Sequence, residues 1–171
     1  HYILQRKQQA GELPNNAAML KTIVTSEFGT AIANKFNVAT VNTLTGFKFI
    51  AEKIAEWEQT GEHTFMFGYE ESYGYLAGDF VRDKDAVQIA LLTADMAAYY
   101  KKQGATLLDA LNTLYEELGS YKEALVSLTF EGLEGQQKIA SIMDNFRNNA
   151  PKEFAGVEVV TVEDYSTGDV N

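Results

Sequence analysis

Phe65-Met66-Phe67-Gly68-Tyr69-Glu70-Glu71-Ser72-Tyr73-Gly74-Tyr75 reads as a strand that runs into a polar loop. Thr64 to Phe67 is a short apolar run of the kind that forms a buried strand. The run breaks at Gly68 and delivers two carboxylates and a hydroxyl in succession. Glu70 and Ser72 stand two apart, so in an extended backbone they point to the same side. A carboxylate accepts hydrogen bonds and a serine hydroxyl both donates and accepts. Such a pair fits a vicinal diol, the usual handle on a sugar ring. The spacing alone fits a solvated loop after a strand equally well. Gly68 and Gly74 at the two ends favour a ligand, because glycine lets a backbone approach one closely.

Working outward, Tyr2 to Gln9 reads as a short polar helix closed by Gly11 and Pro14. Lys21 to Thr25 is a predicted strand centred on Ile23 and Val24. Ser26 then suits an N-cap, with Phe28, Ile32 and Phe36 at helical spacing and Asn37 at the exit. Val38 to Leu44 is a second strand. Thr45 is placed to cap a helix whose Phe47, Ile50, Ile54 and Trp57 form one stripe, while Lys48, Glu52, Lys53 and Glu56 take the other faces. Gly61 ends it, and Thr64 to Phe67 follows as the third strand. This alternation predicts parallel strands joined by right-handed crossovers. Ligands of such sheets sit beyond the carboxyl ends of the strands. Ser26, Thr45-Gly46 and Glu70-Glu71-Ser72 each lie just past a predicted strand, so they should share one edge of the sheet.

Asp85 begins a long helix reaching about Lys102, apolar enough to predict a central buried helix. Thr106 caps another, with Asp109 in the capping-box position, a stripe of Leu108, Leu111, Tyr115 and Leu118, and Gly119 at its end. Glu123 to Phe130 reads as a fourth strand and Gly132 to Gly135 as a linker. Ile139, Ile142, Met143 and Phe146 mark an amphipathic helix stopped before Pro151, and Val157 to Val162 a strand. The predicted class is α/β: a mostly parallel four-stranded sheet flanked by helices, with a C-terminal helix-strand appendage.

The chain has 171 residues, 46% of them hydrophobic, which suits one domain with a proper core or one domain plus an appendage. Its net charge of −10 argues against a nucleic-acid partner and against an anionic membrane surface. Any bound phosphate must therefore be held by local cations. The absence of cysteine excludes disulfides and thiolate chemistry and is compatible with an intracellular setting. No apolar run approaches the ~20 residues that span a bilayer, and no signal-peptide pattern is present.

Several chemistries can be weighed. Glu70 and Glu71 are adjacent, so in a strand they face opposite ways and do not make a paired acid and base. No further oxygen ligands converge to make a magnesium site. His63 has no second histidine nearby, and Ser72 has no recognisable histidine base. The nucleotide-binding glycine loops are absent. Arg82, Lys84 and Lys48 are the cations nearest the loop, and Lys84 directly precedes the long helix, so its ammonium and the helix N-terminus are placed to act on one anion. Taken alone, Arg82-Asp83-Lys84-Asp85 is a solvated charged turn, and capping alone explains Thr45.

Gly68-Tyr69-Glu70-Glu71-Ser72-Tyr73-Gly74 resembles the sugar-binding loop in the third domain of the phosphoglucomutase and phosphomannomutase family, the alpha-D-phosphohexomutases. Lys21-Thr22-Ile23-Val24-Thr25-Ser26, Thr43-Leu44-Thr45-Gly46-Phe47-Lys48 and Val81-Arg82-Asp83-Lys84-Asp85 resemble further family segments, in the same order. The resemblance implies a piece of a longer protein, with residues 1–130 as the third, sugar-binding domain and residues 131–171 as a linker and the start of the fourth. It implies Glu70, Ser72, Thr45, Gly46, Arg82 and Lys84 as substrate-binding residues, with no catalytic residue and no metal ligand in this chain.

For the full-length enzyme the resemblance implies an isomerase that moves a phosphoryl group between the 1 and 6 positions of a hexose. A phosphoserine in the first domain donates it, Mg2+ in the second assists, and glucose 1,6-bisphosphate is the intermediate and activator. The implied partners are the hexose phosphate and the other domains, with neither nucleic acid nor membrane, and the implied location is cytoplasmic. This chain has no Ser-His-Asn phosphorylation motif, no Asp-Gly-Asp-type metal loop and no Arg-Pro-Ser-Gly-Thr phosphate clamp, so alone it should bind weakly and catalyse nothing. Gly74 stands where some dual-specificity members carry a histidine, which points towards glucose phosphates without excluding mannose or pentose phosphates. Two other classes stay open: a free-standing sugar-phosphate binding module, and a structural α/β domain with an incidental loop.

Overall fold

Every residue of β1 (Ala17–Thr22) is buried, which marks it as the strand the sheet is built around. The computed structural model describes residues 1–124, 127–166 and 169–170. β1 lies between β2 (Ala39–Thr43) and β3 (Thr64–Tyr69) and is parallel to both. β4 (Tyr75–Leu76) returns antiparallel to β3, and the order across the sheet is β2-β1-β3-β4. The mostly parallel four-stranded sheet is thus as the sequence predicts, but its fourth strand is not Glu123 to Phe130. The described residues of that segment form no strand, and Leu125 and Val126 lie outside the described residues. β4 takes the place because the loop after β3 closes on itself, the Glu70 N–H donating to the Gly74 carbonyl at 2.9 Å. β1 also begins at Ala17, before the expected Lys21. A central parallel strand is covered on both faces and need not alternate, so its alanines give no strand signal.

Alternate β1 residues feed two cores. Ala17 and Met19 pack with Leu4 of α1 (Tyr2–Ala10), Ala33 of α2 (Phe28–Lys35), Phe36, Val38 and Met66. Ala18 and Leu20 pack with Phe47, Ile50, Ile54 and Trp57, the stripe of α3 (Phe47–Thr60), and with Leu76. The register between β1 and β3 slips at Met66, since Ala18 pairs with Phe65 but Met19 with Phe67. This bulge resets the alternation, so Gly68 lies against α3. A Cβ there would come within 2.9 Å of Ile50 Cγ2 and 3.2 Å of the Phe65 ring.

β1 ends in a cation. Lys21 is fully buried. Its Nζ donates to the Thr25 carbonyl at 2.9 Å and to Glu27 Oε1 at 2.7 Å. That hydrogen bond from Lys21 holds the Glu27 carboxyl below its ordinary value.

α4 (Ala86–Lys102) has the predicted extent and Asp85 as its N-cap, but none of its residues is buried. It contacts β4, a strand of two residues, and α5 (Leu107–Leu118), and its Asp95 accepts the Tyr2 hydroxyl at 2.6 Å. Lying over the short edge of the sheet, it leaves Val87 and Leu91 81% and 74% exposed. α5 starts with the expected capping box between Thr106 and Asp109.

The chain forms two compact units, His1–Glu123 and Ala124–Asn171. The second holds α6 (Gly132–Asn148) and two small antiparallel hairpins, β5 (Glu153–Phe154) with β6 (Val157–Glu158) and β7 (Glu163–Asp164) with β8 (Asp169–Val170). The expected linker Gly132 to Gly135 is the first turn of α6, where Gly135 lies so near Phe130 that a Cβ would come within 2.5 Å of its carbonyl carbon. Of the predicted strand from Val157 to Val162, only β6 forms.

Gly68→Ala should destabilise the 171-residue chain in urea by about 1–3 kcal/mol, the usual cost of overpacking a core; an unchanged unfolding curve would show that α3 tolerates a methyl beneath Ile50. Glu27→Gln should also destabilise it near neutral pH, by on the order of 1 kcal/mol because half-exposed Glu27 is screened by solvent. A carboxyl depressed in the folded state stabilises above its unfolded value of 4.5 and loses that contribution as pH falls through the folded value. The gap between wild type and variant should hold from neutral pH down to about pH 5 and close in more acid solution. A gap that widens there would contradict the Lys21 pairing.

Candidate functional site

The carboxyl ends of β1, β2 and β3 bring their loops together. After the bulge at Met66, Gly68 faces α3, and Glu70 reaches that side too. It is buried, and its Oε1 accepts the Gly46 N–H, at the N-cap of α3, at 3.1 Å. The sequence suggests an exposed loop carboxylate at this position, but the chain folds it inward. Gly46 sits at φ 122°, a conformation that favours glycine and aims this N–H at the carboxylate.

Gly74 closes the loop over Glu70. A Cβ at Gly74 would fall 2.7 Å from Glu70 Oε2 and 2.6 Å from Lys84 Cδ. The Lys84 stem therefore lies against the loop, and its ammonium stands 5.3 Å from the centroid of the buried Phe47 ring. Lys84 also pairs with Asp83 at 2.9 Å and holds that carboxyl below the usual range. Glu70, Gly46, Gly74 and Lys84 form one cluster. Thr45 and Ser72 are exposed on the same two loops.

Two expectations change. The Arg82 guanidinium is drawn to the Asp79 carbonyl and to Glu58 of α3, away from Glu70. The N-terminus of α4 is occupied by its own cap, since Asp85 Oδ1 accepts from Val87 N at 2.9 Å and Gln88 N at 3.2 Å. Those amides are therefore not free to share an anion with Lys84.

Two features stand outside the expected set. Lys21 is a sealed cation at the same sheet edge; its signal was a lysine and threonine closing an apolar strand. Glu71 turns away from Glu70, and its Oε2 accepts from Thr22 Oγ1 at 3.1 Å. Below the sheet edge, burial pushes the Tyr69 hydroxyl up to about 12, with the charges of Glu27 and Glu123 adding to it. Tyr69 lines an apolar cavity of about 420 Å³ with Met19, Phe28, Phe67, Tyr115 and Tyr121.

Among the described residues no three His, Asp or Glu side chains stand close enough together to hold a metal ion. No helix among them is long and apolar enough to cross a membrane.

A family model described as phosphoglucomutase/phosphomannomutase, alpha/beta/alpha domain III, matches residues 1–117. A phosphoglucomutase from Staphylococcus haemolyticus is 46% identical over 155 residues, covering 91% of this chain and 28% of the relative. A phosphoglucomutase from Staphylococcus aureus is 44% identical over 165 residues, covering 96% of this chain and 29% of the relative. The chain thus spans less than a third of the length of these curated relatives. Among solved structures, a putative phosphomannomutase from Thermus thermophilus aligns with a TM-score of 0.53 at 18% identity, over 76% of this chain and 29% of that one, a likeness in fold. On the match of residues 1–117 and the identity to these relatives, the chain belongs to the phosphoglucomutase/phosphomannomutase family.

Proposed function

We propose that this chain supplies the sugar-holding loop of a phosphohexomutase that interconverts hexose 1-phosphate and hexose 6-phosphate. The observation that carries the reading is the buried Glu70 carboxylate. One oxygen is fixed by the Gly46 N–H, and the other lies by Gly74 and the Lys84 stem. A carboxylate held in this way is pre-organised to accept from two ring hydroxyls, and exposed Ser72 adds a group that donates or accepts. Lys84 offers a charge to a phosphate, Thr45 and Gly46 line the neighbouring loop, and Arg82 contributes once released from Glu58.

Gripping the ring rather than either phosphate suits a reaction whose bisphosphate intermediate must be presented in both orientations. The phosphoserine and Mg2+, which would supply phosphoryl transfer and charge neutralisation, belong on this reading to other domains, and the chain alone is inactive. On this reading the first compact unit, His1–Glu123, is the third domain, and the unit that holds α6 is the beginning of the fourth. The names of the relatives support glucose phosphates as substrate, and a cytoplasmic location is proposed with them.

In the full-length enzyme, Glu70→Gln should lower kcat/KM for glucose 1-phosphate about tenfold or more, because hydrogen bonds to a charged acceptor are worth roughly 1.5–3 kcal/mol. The amide oxygen still accepts from Gly46, so the thermal midpoint should move little. Full activity in Glu70→Gln would end the sugar-holding assignment.

The exposed face of α4 is assigned to the rest of the enzyme, since the relatives extend well beyond this chain. Leu91→Lys should be nearly neutral in the 171-residue chain, as most exposed substitutions are, and should clearly lower the midpoint of the full-length protein. Equal shifts in both would place that face in solvent.

A further inference from the structure

Glu71 has no part in the sugar-holding reading, yet it is tied down more firmly than an exposed loop residue needs to be. Its Oε2 lies 3.1 Å from Thr22 Oγ1 and 3.5 Å from Thr25 Oγ1, and the two hydroxyls are 2.6 Å apart. A carboxylate accepts, so the two hydroxyls are the donors that turn towards it. Thr22 donates to Glu71 at the shorter distance, and the Thr25 hydroxyl lies within reach of both Glu71 and Thr22. Both threonines are buried, at 0% and 7% exposure, so neither hydroxyl has solvent to turn to. The turn that carries them is pinned from below, with Lys21 Nζ on the Thr25 carbonyl at 2.9 Å and Thr25 N on the Thr22 carbonyl at 3.0 Å.

The loop needs such a hold. Tyr73 adopts φ 65° while 85% exposed, so its left-handed backbone gains no burial and must be imposed by its neighbours. Glu70 anchors the loop to the start of α3, and Glu71 anchors it to the turn between β1 and α2.

We propose that Glu71 is a positioning residue: by ordering the Thr22 and Thr25 hydroxyls it straps residues 70–74 to the β1–α2 turn and so fixes where Glu70 and Ser72 meet the sugar. This rests on the sugar-holding reading of the loop. The test uses the full-length enzyme with Glu71→Gln, Glu71→Ala, Thr22→Val, the double variant Thr22→Val with Glu71→Ala, and Glu70→Gln. Amide exchange of residues 71–74 is followed beside kcat and KM for glucose 1-phosphate.

Glu71→Ala should speed exchange in the loop and lower kcat/KM roughly tenfold. Glu71→Gln, which keeps an acceptor oxygen, should retain most of both. Thr22→Val should resemble Glu71→Ala, and the double variant should be no worse than either single one. Unchanged exchange in Glu71→Ala would overturn the proposal. So would losses that multiply in the double variant, which would mean that Glu71 acts other than through Thr22. If Glu70→Gln is impaired while Glu71→Ala has normal activity, the role of Glu71 falls and the sugar-holding reading stands. If neither variant loses activity, the sugar-holding reading falls and takes the role of Glu71 with it.

Discussion

A primary ammonium sealed at the end of the central strand constrains everything around it. Lys21 has no exposure at all, and a buried charge without partners costs several kcal/mol. The chain leaving β1 must therefore turn back at once and present acceptors, which it does with the Thr25 carbonyl and the Glu27 carboxylate. The turn also brings Ser26 Oγ to the N–H of Phe28, where α2 begins. One pairing thus sets the exit of β1, the entry of α2 and the position of the two threonine hydroxyls on which the neighbouring loop leans.

That neighbouring loop is held from both sides. Glu70 and Glu71 are consecutive, so the backbone sends them in different directions, and each finds a donor on a different strand end. The bulge at Met66 shifts β3 by one residue against β1, and the side on which Glu70 emerges follows from it. Without that shift the phase of the strand would invert and Glu70 would face away from α3. The loop's geometry is thus a consequence of register as much as of its own residues.

Much of this was legible in the sequence because it rests on local chemistry. The stripe Phe47, Ile50, Ile54, Trp57 has only one helical reading, and Thr106 with Asp109 forms the capping box that the spacing announces. The loops of Thr45-Gly46 and Glu70-Glu71-Ser72 converge because they follow parallel strands. What escaped depends on partners distant in sequence. The apolar α4 looks like a core helix until the sheet beside it proves to end in a two-residue strand. Arg82 looks available to a ligand until Glu58 folds beside it. Glu70 looks exposed until the N-cap of α3 reaches it. Gly132 to Gly135 reads as a linker by composition, but the close approach of Phe130 gives Gly135 a packing reason to be glycine within a helix.

The charge balance shows what such a site is suited to. A chain of net charge −10 repels a phosphorylated sugar at long range, so attraction must come from individual cations. Lys21 is sealed by its own partners and Arg82 is engaged by Glu58, while Lys84 is half-exposed and paired with the well-solvated carboxylate of Asp83, and Lys48 is exposed in the first turn of α3. Solvent-facing ammonium groups beside a rigidly held carboxylate would grip hydroxyls firmly and a phosphate loosely. On the proposed reading that imbalance is useful. A ligand carrying phosphate at both ends has to leave one orientation and take up the other, and a strong phosphate clamp in this domain would oppose the exchange. The rigid element is directed at the part of the ligand common to both orientations, and the yielding element at the part that changes.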